Sequence, residues 1–334
     1  MISNNSLKSR GHSALALAPR AFFSLSPILA LLAVAPAFGA VDRVVTRNYD
    51  VAPGGTVQVS TEGGKIQVEA ADSPDANVGV RIEAREHIRA GSDAEADELL
   101  KGLDLQIEQH AGDVSATAHY DRHGWGFQMG SNPVRVDFVV KVPKRCSVNL
   151  TTSGGDISIS NLNGQVKAHT SGGDISIGRI LGDVSATTSG GEVNLGGAQG
   201  AVHLVSSGGH ITTGPLAGRA EIKTSGGSIR VESIQGRLSA LTSGGNVRAA
   251  FSGPMDGDSE LSTSGGSVDA TLGAATACNL DASTSGGSVS VKHLTVAIER
   301  GAPGRNRLEG SVGGGGPRLR LHSSGGDIEI QSGS

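Results

Sequence analysis

Three groups of side chains have the types and spacing to do chemistry. Asp156, Asp174 and Glu192 recur at steps of 18 residues. If like positions stack, they form an outward column of carboxylates ~5 Å apart. Such a column suits Ca²⁺ binding, or acid/base work on a glycan. The segment His119-Tyr120-Asp121-Arg122-His123-Gly124-Trp125-Gly126-Phe127-Gln128-Met129 holds the only Trp of the chain. Tyr120, Trp125, Phe127 and Met129 make it a candidate contact surface, because large aromatic and apolar anchors dominate binding hot spots. The competing reading folds the same side chains over an end of the domain as a plug. His119, Asp121 and His123 would be three donors on one loop, and neither a metal nor any other cofactor is expected from them. The third group is Cys146 and Cys278, the only cysteines, too few for a disulfide framework or a four-cysteine zinc site.

What must position these groups is a repeat. Ser-Gly-Gly begins at Ser153, Ser171, Ser189, Ser207, Ser225, Ser243, Ser264, Ser285 and Ser324. With that Ser as slot 0, apolar residues recur at slots +4 and +6 (Ile157/Ile159, Ile175/Ile177, Val193/Leu195) and at slots −5 and −3 (Val148/Leu150, Val166/Ala168, Val184/Ala186). Alternation of period two predicts two short strands per repeat, each with one buried face. Ser-Gly-Gly makes one turn, and Gly164, Gly182, Gly200, Gly218, Gly236 and Gly257 at slot −7 make the other. A stack of antiparallel hairpins and a parallel β-solenoid both fit this alternation. The return of identical residue types at identical slots favours the solenoid, where like stacks on like. Slot −1 is Thr or Ser throughout (Thr152, Thr170, Thr188, Ser206), which predicts a hydroxyl ladder at a corner. Cys146 and Cys278 share slot −7 seven repeats apart, beyond disulfide reach, so two free thiols are expected.

Composition agrees. Of 334 residues 51 are Gly, and only 3% are aromatic, so an ordinary globular core is excluded. Eleven Pro and no Gly at every third residue exclude collagen. Polysaccharide-cleaving sites stack sugars on aromatic faces, and the repeats offer only Phe251. A net charge of −4 argues against nucleic acid as a partner.

The chain opens with Lys8, Arg10 and Arg20, an apolar run over residues 22–35, and small residues at Ala35-Pro36-Ala37 and Ala37-Phe38-Gly39. This predicts a signal peptide over residues 1–39, with no transmembrane segment in the mature chain. Thr61-Glu62-Gly63-Gly64 with Ile66 and Val68 repeats the pattern once before an interruption. The interruption predicts strands at 76–85, 103–109, 113–119 and 134–142, and a helix capped by Ser92-x-x-Glu95. Residues 40–143 are therefore expected to form a first coil plus a small α+β cap, and residues 144–334 a β-solenoid of about 18-residue coils. Residues 301–317 are expected to be a flexible loop before a last, uncapped coil.

The strand Val136-Asp137-Phe138-Val139-Val140-Lys141-Val142-Pro143, the Ser-Gly-Gly-Asp-Ile units, and Gly314-Gly315-Gly316-Pro317 ahead of a final Ser-Ser-Gly-Gly-Asp-Ile resemble a bacterial family labelled putative adhesins. The resemblance runs from about Val41 to the C-terminus. It implies export and a β-solenoid-like shape, and carries no catalytic residues. The expectation is an exported, non-enzymatic adhesin-like protein of the periplasm or cell surface, contacting a protein or other envelope component. Two alternatives use other features: an envelope glycan binder or glycan-cleaving enzyme built on the acidic column, and a scaffold that self-associates through a solenoid end.

Overall fold

The computed structural model describes residues 39–52, 54–71, 79–121 and 132–333. The expected signal peptide lies outside these residues, apart from Gly39. Among the described residues the chain is all-β with one short helix, and the 25 strands found there belong to one sheet.

Within the repeats, each strand pairs in parallel with the strand one repeat away. Val166 faces both Val148 and Val184, and Ile175 faces both Ile157 and Val193, so like slots lie on like at 18-residue offsets. Each such tier is called a layer here and named by its Ser. The inward slots hold the core, a continuous column of Val, Ile, Leu and Ala with almost no exposure. Aliphatic side chains stacked on themselves fill the interior with only Phe138 and Phe251 as buried aromatics among the described residues, which explains the composition.

Two corner devices fix the vertical spacing. Ten slot −1 hydroxyls are buried and donate across layers: Thr170 to the carbonyl of Gly155 (3.0 Å), Thr188 to Gly173 (2.9 Å), Ser206 to Gly191 (2.9 Å), and so through the stack. Several also accept from the second Gly of their own layer, as Gly191 N–H donates to Thr188 Oγ1 (3.2 Å). The predicted ladder thus runs hydroxyl to carbonyl. The second Gly of each Ser-Gly-Gly is required by closeness: a Cβ on Gly173 or Gly191 would overlap the Gly carbonyl of the layer before. The first Gly has ordinary room, as at Gly190. At slot −7 the predicted break between strands is present at Gly164, Gly182, Gly200 and Gly257 and absent at Gly218 and Gly236. Ile211–Lys223 and Ile229–Thr242 run unbroken through Gly218 (φ 115°) and Gly236 (φ 126°), because a glycine in that region bends a strand without surrendering its ladder.

At the amino-terminal end the chain comprises β1 (Ala40–Tyr49), β2 (Thr56–Thr61), β3 (Ile66–Ala70), β4 (Val80–Arg89), helix α1 (Asp93–Leu100), β5 (Leu103–His110), β6 (Asp113–Tyr120) and β7 (Val134–Val142). The strand expected at 76–85 is thus β4, four residues later in the chain. Ser92 caps α1 by accepting from Glu95 N–H (3.3 Å), and Glu95 Oε2 returns to Gly91 N–H (2.8 Å). The first repeat, β2 and β3, lies between the Ser153 layer and a further parallel layer made by β6 and β7. Antiparallel β4 and β1 then extend one side, and antiparallel β5 the other.

The carboxyl-terminal end overturns the expected order. The last repeat, Arg318–Ser323 and Ile328–Ser332, lies inside the stack. It pairs on one side with Ser259–Thr263 and Val268–Leu272, and on the other with Cys278–Thr284 and Val289–Lys292. The layers therefore run Ser264, Ser324, Ser285. The segment expected to be a loop contains a strand, Arg307–Val312, which pairs antiparallel with Cys278–Thr284 and carries Ala297–Gly301 at the edge. The last coil is therefore not the uncapped end. Charge is rearranged by this order, which relieves one acidic pair and makes another, Asp269 opposite Glu329. Sequential stacking would set Glu260 on Asp281; the threaded repeat places Arg320 opposite both, 3.5 Å from the Glu260 carboxylate.

Candidate functional site

Asp156, Asp174 and Glu192 stack as expected, and one oxygen of each aspartate is engaged by the backbone of the next layer. Asp156 Oδ1 accepts from Asp174 N–H (3.2 Å), and Asp174 Oδ1 from Glu192 N–H (2.7 Å). Slot +3 continues as an acceptor column beyond the carboxylates. His210 Nδ1 accepts from Ser228, Ser228 Oγ from Asn246, Asn246 Oδ1 from Ser267, Ser267 Oγ from Asp327, and Asp327 Oδ1 from Ser288. What slot +3 selects is an acceptor, charged or not. The bond from Asp174 N–H, then the Lys65 ammonium 3.2 Å away, hold the Asp156 carboxyl below its usual range. Among the described residues no group of three or more His, Cys, Asp or Glu could hold a metal ion.

Both cysteines are free and buried. Because the Ser324 layer intervenes, they are eight layers apart rather than seven, ~38 Å at the usual strand spacing. Burial pushes the Cys146 thiol up to about 12 and the Cys278 thiol to about 11, and Cys146 Sγ donates to the Gly55 carbonyl (3.3 Å). These are packing residues, since the thiolate is the reactive form.

A different cluster forms where the β6–β7 layer departs from the repeat. In that layer Ala118 stands over Thr61, and Val136 accepts the Thr61 hydroxyl (3.0 Å) as a Gly carbonyl does elsewhere. Residues 119–135 thus replace the Ser-Gly-Gly corner. Directly beneath is Glu62, at the one slot 0 that is not Ser. Its carboxylate gathers both feet of the segment: His119 Nδ1 lies 2.5 Å from Oε1, while Asn132 Nδ2 (2.8 Å) and Tyr120 N–H (3.4 Å) donate to Oε2. Alongside is a cleft of about 280 Å³ whose lining includes Glu62, Arg89, Leu103, Tyr120, Asn132 and Arg135. Tyr120 is half-buried, pairs with Leu103 and packs on the core edge. Trp125, Phe127, Met129 and His123 lie outside the described residues. Glu62 and Asn132 were not anticipated as site residues; the visible signal was Glu in place of Ser within Thr61-Glu62-Gly63-Gly64.

Among the described residues no helix is long and apolar enough to cross a membrane. No curated protein matches the chain. Among solved structures, a protein titled a putative adhesin from Bacteroides fragilis is 11% identical with a TM-score of 0.38, covering 87% of this chain and 97% of that one. Another titled putative adhesin, from Parabacteroides distasonis, is 10% identical with a TM-score of 0.42 over 86% and 97% of the two chains. A protein of the latter organism titled a putative lipid binding protein is 12% identical with a TM-score of 0.40 over 87% and 97%. Likeness this loose fixes neither mechanism nor ligand. A family model described as Toastrack DUF4097 matches residues 48–331, and the chain belongs to that family.

Proposed function

We propose that the protein is an exported, non-enzymatic interaction protein of the bacterial envelope, adhesin-like in role, whose repeats are a scaffold for the contact segment at 119–132. In this reading residues 1–39 are a signal peptide, residues 40–143 hold the first coil and an α+β cap, and residues 144–334 form a parallel β-solenoid of about 18-residue coils. Tyr120, Trp125, Phe127 and Met129 are the contact residues, and the partner is a protein or other surface component of the envelope. The observation that carries the reading is Glu62. One carboxylate holds both feet of the segment at a corner where every other repeat has a compact turn. A segment anchored at both ends presents its anchors with less ordering cost on binding. The glycan-enzyme alternative is disfavoured because the backbone of the next layer occupies Oδ1 of both Asp156 and Asp174.

The test is cosedimentation of the purified mature chain with washed bacterial envelope fragments. Wild-type protein should sediment with them, and Trp125→Ala should lose most of that binding. Equal sedimentation of the two would remove the segment from the function, and no sedimentation of either would overturn the surface role.

A further inference from the structure

The threaded carboxyl-terminal repeat is paired on both sides by layers that precede it in the chain. Its two strands, Arg318–Ser323 and Ile328–Ser332, pair only with the Ser264 and Ser285 layers. It is joined to the rest by Gly313-Gly314-Gly315-Gly316-Pro317, in which Gly313, Gly314 and Gly315 have φ of 63°, 89° and 87°.

The slot it fills asks for an occupant. Both walls are complete layers presenting unsatisfied ladders when the repeat is withdrawn. Thr284 needs the carbonyl of Gly326, and the carbonyl of Gly266 accepts from Ser323 Oγ (2.7 Å each). Direct closure would keep the phase, since Ser264 and Ser285 differ by one 21-residue repeat. It would set Glu260 on Asp281 in place of the Asp269–Glu329 pair of the threaded order, and would lose the Lys292–Glu329 ion pair (2.8 Å). Like charges directly opposite in a sheet are destabilising.

We propose that this repeat is exchanged between copies: residues 318–332 of one chain occupy the slot between the Ser264 and Ser285 layers of a second copy, which returns its own. Every contact of the exchanged form is already present in the single chain, so exchange needs no new interface. The tether sets the balance. In the closed form the tether is held, Gly315 N–H donating to the Val312 carbonyl (3.1 Å) and Asn279 donating to the Gly316 and Pro317 carbonyls (2.7 and 3.0 Å). Released during folding, a short linker gives an effective concentration on the order of mM, so the closed monomer prevails in dilute solution and exchange occurs when many copies fold together.

Ser262 and His322 face each other across the exchanged contact, and both are partly exposed. Full-length Ser262→Cys and His322→Cys chains are mixed, unfolded and refolded together at high concentration, oxidised, and separated without reductant. The two native thiols are buried and can stay. The control replaces His322→Cys by Ser158→Cys, exposed on the other strand of a distant layer. The expected result is covalent heterodimer about tenfold above the control mixture, falling away when refolding is done below the tether's effective concentration. Heterodimer at the control level overturns the proposal. So does an excess that is the same at every refolding concentration, which marks random surface cross-linking.

Discussion

Thr284 donates its hydroxyl to the carbonyl of Gly326, a residue 42 positions later in the chain, at 2.7 Å. From the Ser171 layer to the Ser264 layer the same hydroxyl reaches 15 to 18 positions back, as Thr188 does to Gly173 and Thr263 to Gly245. The reversal shows that the bond reads the layer below, whichever part of the chain supplies it. A ladder of this kind holds a stack together without regard to sequence order, and the following expectations test its parts.

The two glycines of one corner should differ sharply. Gly191→Ala forces a Cβ onto the Gly173 carbonyl and should cost about 1–3 kcal/mol or more, the usual range for an overpacked site. Gly190→Ala meets its nearest atom at 3.5 Å and should stay within about 0.5 kcal/mol of wild type. Urea unfolding of both variants checks the contrast.

Removing a ladder hydroxyl should leave two buried backbone groups unpaired. Thr188→Val abandons the Gly173 carbonyl and the Gly191 N–H and should cost about 1–3 kcal/mol, whereas Thr188→Ser keeps both bonds and should cost less.

Thr213 is the opposite case. It stands in the core column between Leu195 and Val231, and its buried hydroxyl has no partner among the described residues. Thr213→Val keeps the shape and removes the unpaired group, and should stabilise the protein by about 1 kcal/mol. A raised urea midpoint at constant slope is the readout.

The buried thiols set an alkaline limit. Folding raises the thiols of Cys146 and Cys278 to about 12 and about 11, from about 8.5 in an unfolded chain. Above that unfolded value the unfolded state loses protons that the folded state retains, so stability is intact below about pH 8.5 and falls as pH rises toward the folded values. Each thiol should contribute about 1.4 kcal/mol of loss per pH unit in that window. Unfolding of wild type and Cys278→Ala at pH 8 and pH 10 should show a shallower decline in the variant. Thiol reagents at pH 8 should label neither cysteine until the protein unfolds.

Glu62 should govern its segment without governing the fold. Glu62→Ser restores the residue found at slot 0 elsewhere and removes the acceptor for Asn132 and Tyr120. Amide exchange should accelerate at Tyr120, while Thr170, deep in the stack, keeps its protection. Uniform loss of protection would contradict a local role.

Slots were readable because parallel stacking gives every copy of a slot the same surroundings: Thr170, Thr188 and Thr224 are alike because each must reach a Gly carbonyl. The acidic column has the same origin. Slot +3 holds three carboxylates and then His210, Ser228 and Asn246, and the hydrogen bonds show what they share: each of the last three accepts from the backbone of the next layer, as Asp156 and Asp174 do. The order of layers was hidden, since the 39-residue step to Ser324 has the length of two repeats and phase alone does not say which neighbour a repeat chooses. Charge gives no single cue either: Arg320 between Glu260 and Asp281 speaks for the threaded order, and Glu329 opposite Asp269 speaks against it. Glu62 was conspicuous in sequence, yet its partner Asn132 is 70 residues away and no local pattern connects them.

The buried position of the last repeat also decides how the molecule answers to force. An outermost strand pulled from its free end peels, breaking one hydrogen bond at a time. Here, tension applied beyond Ser332 acts along Ile328–Ser332, which is held in parallel register on both sides, so both ladders are loaded in shear and must yield together. A protein that grips a surface while attached by its carboxyl-terminal side would gain mechanical toughness from the order in which its layers are stacked.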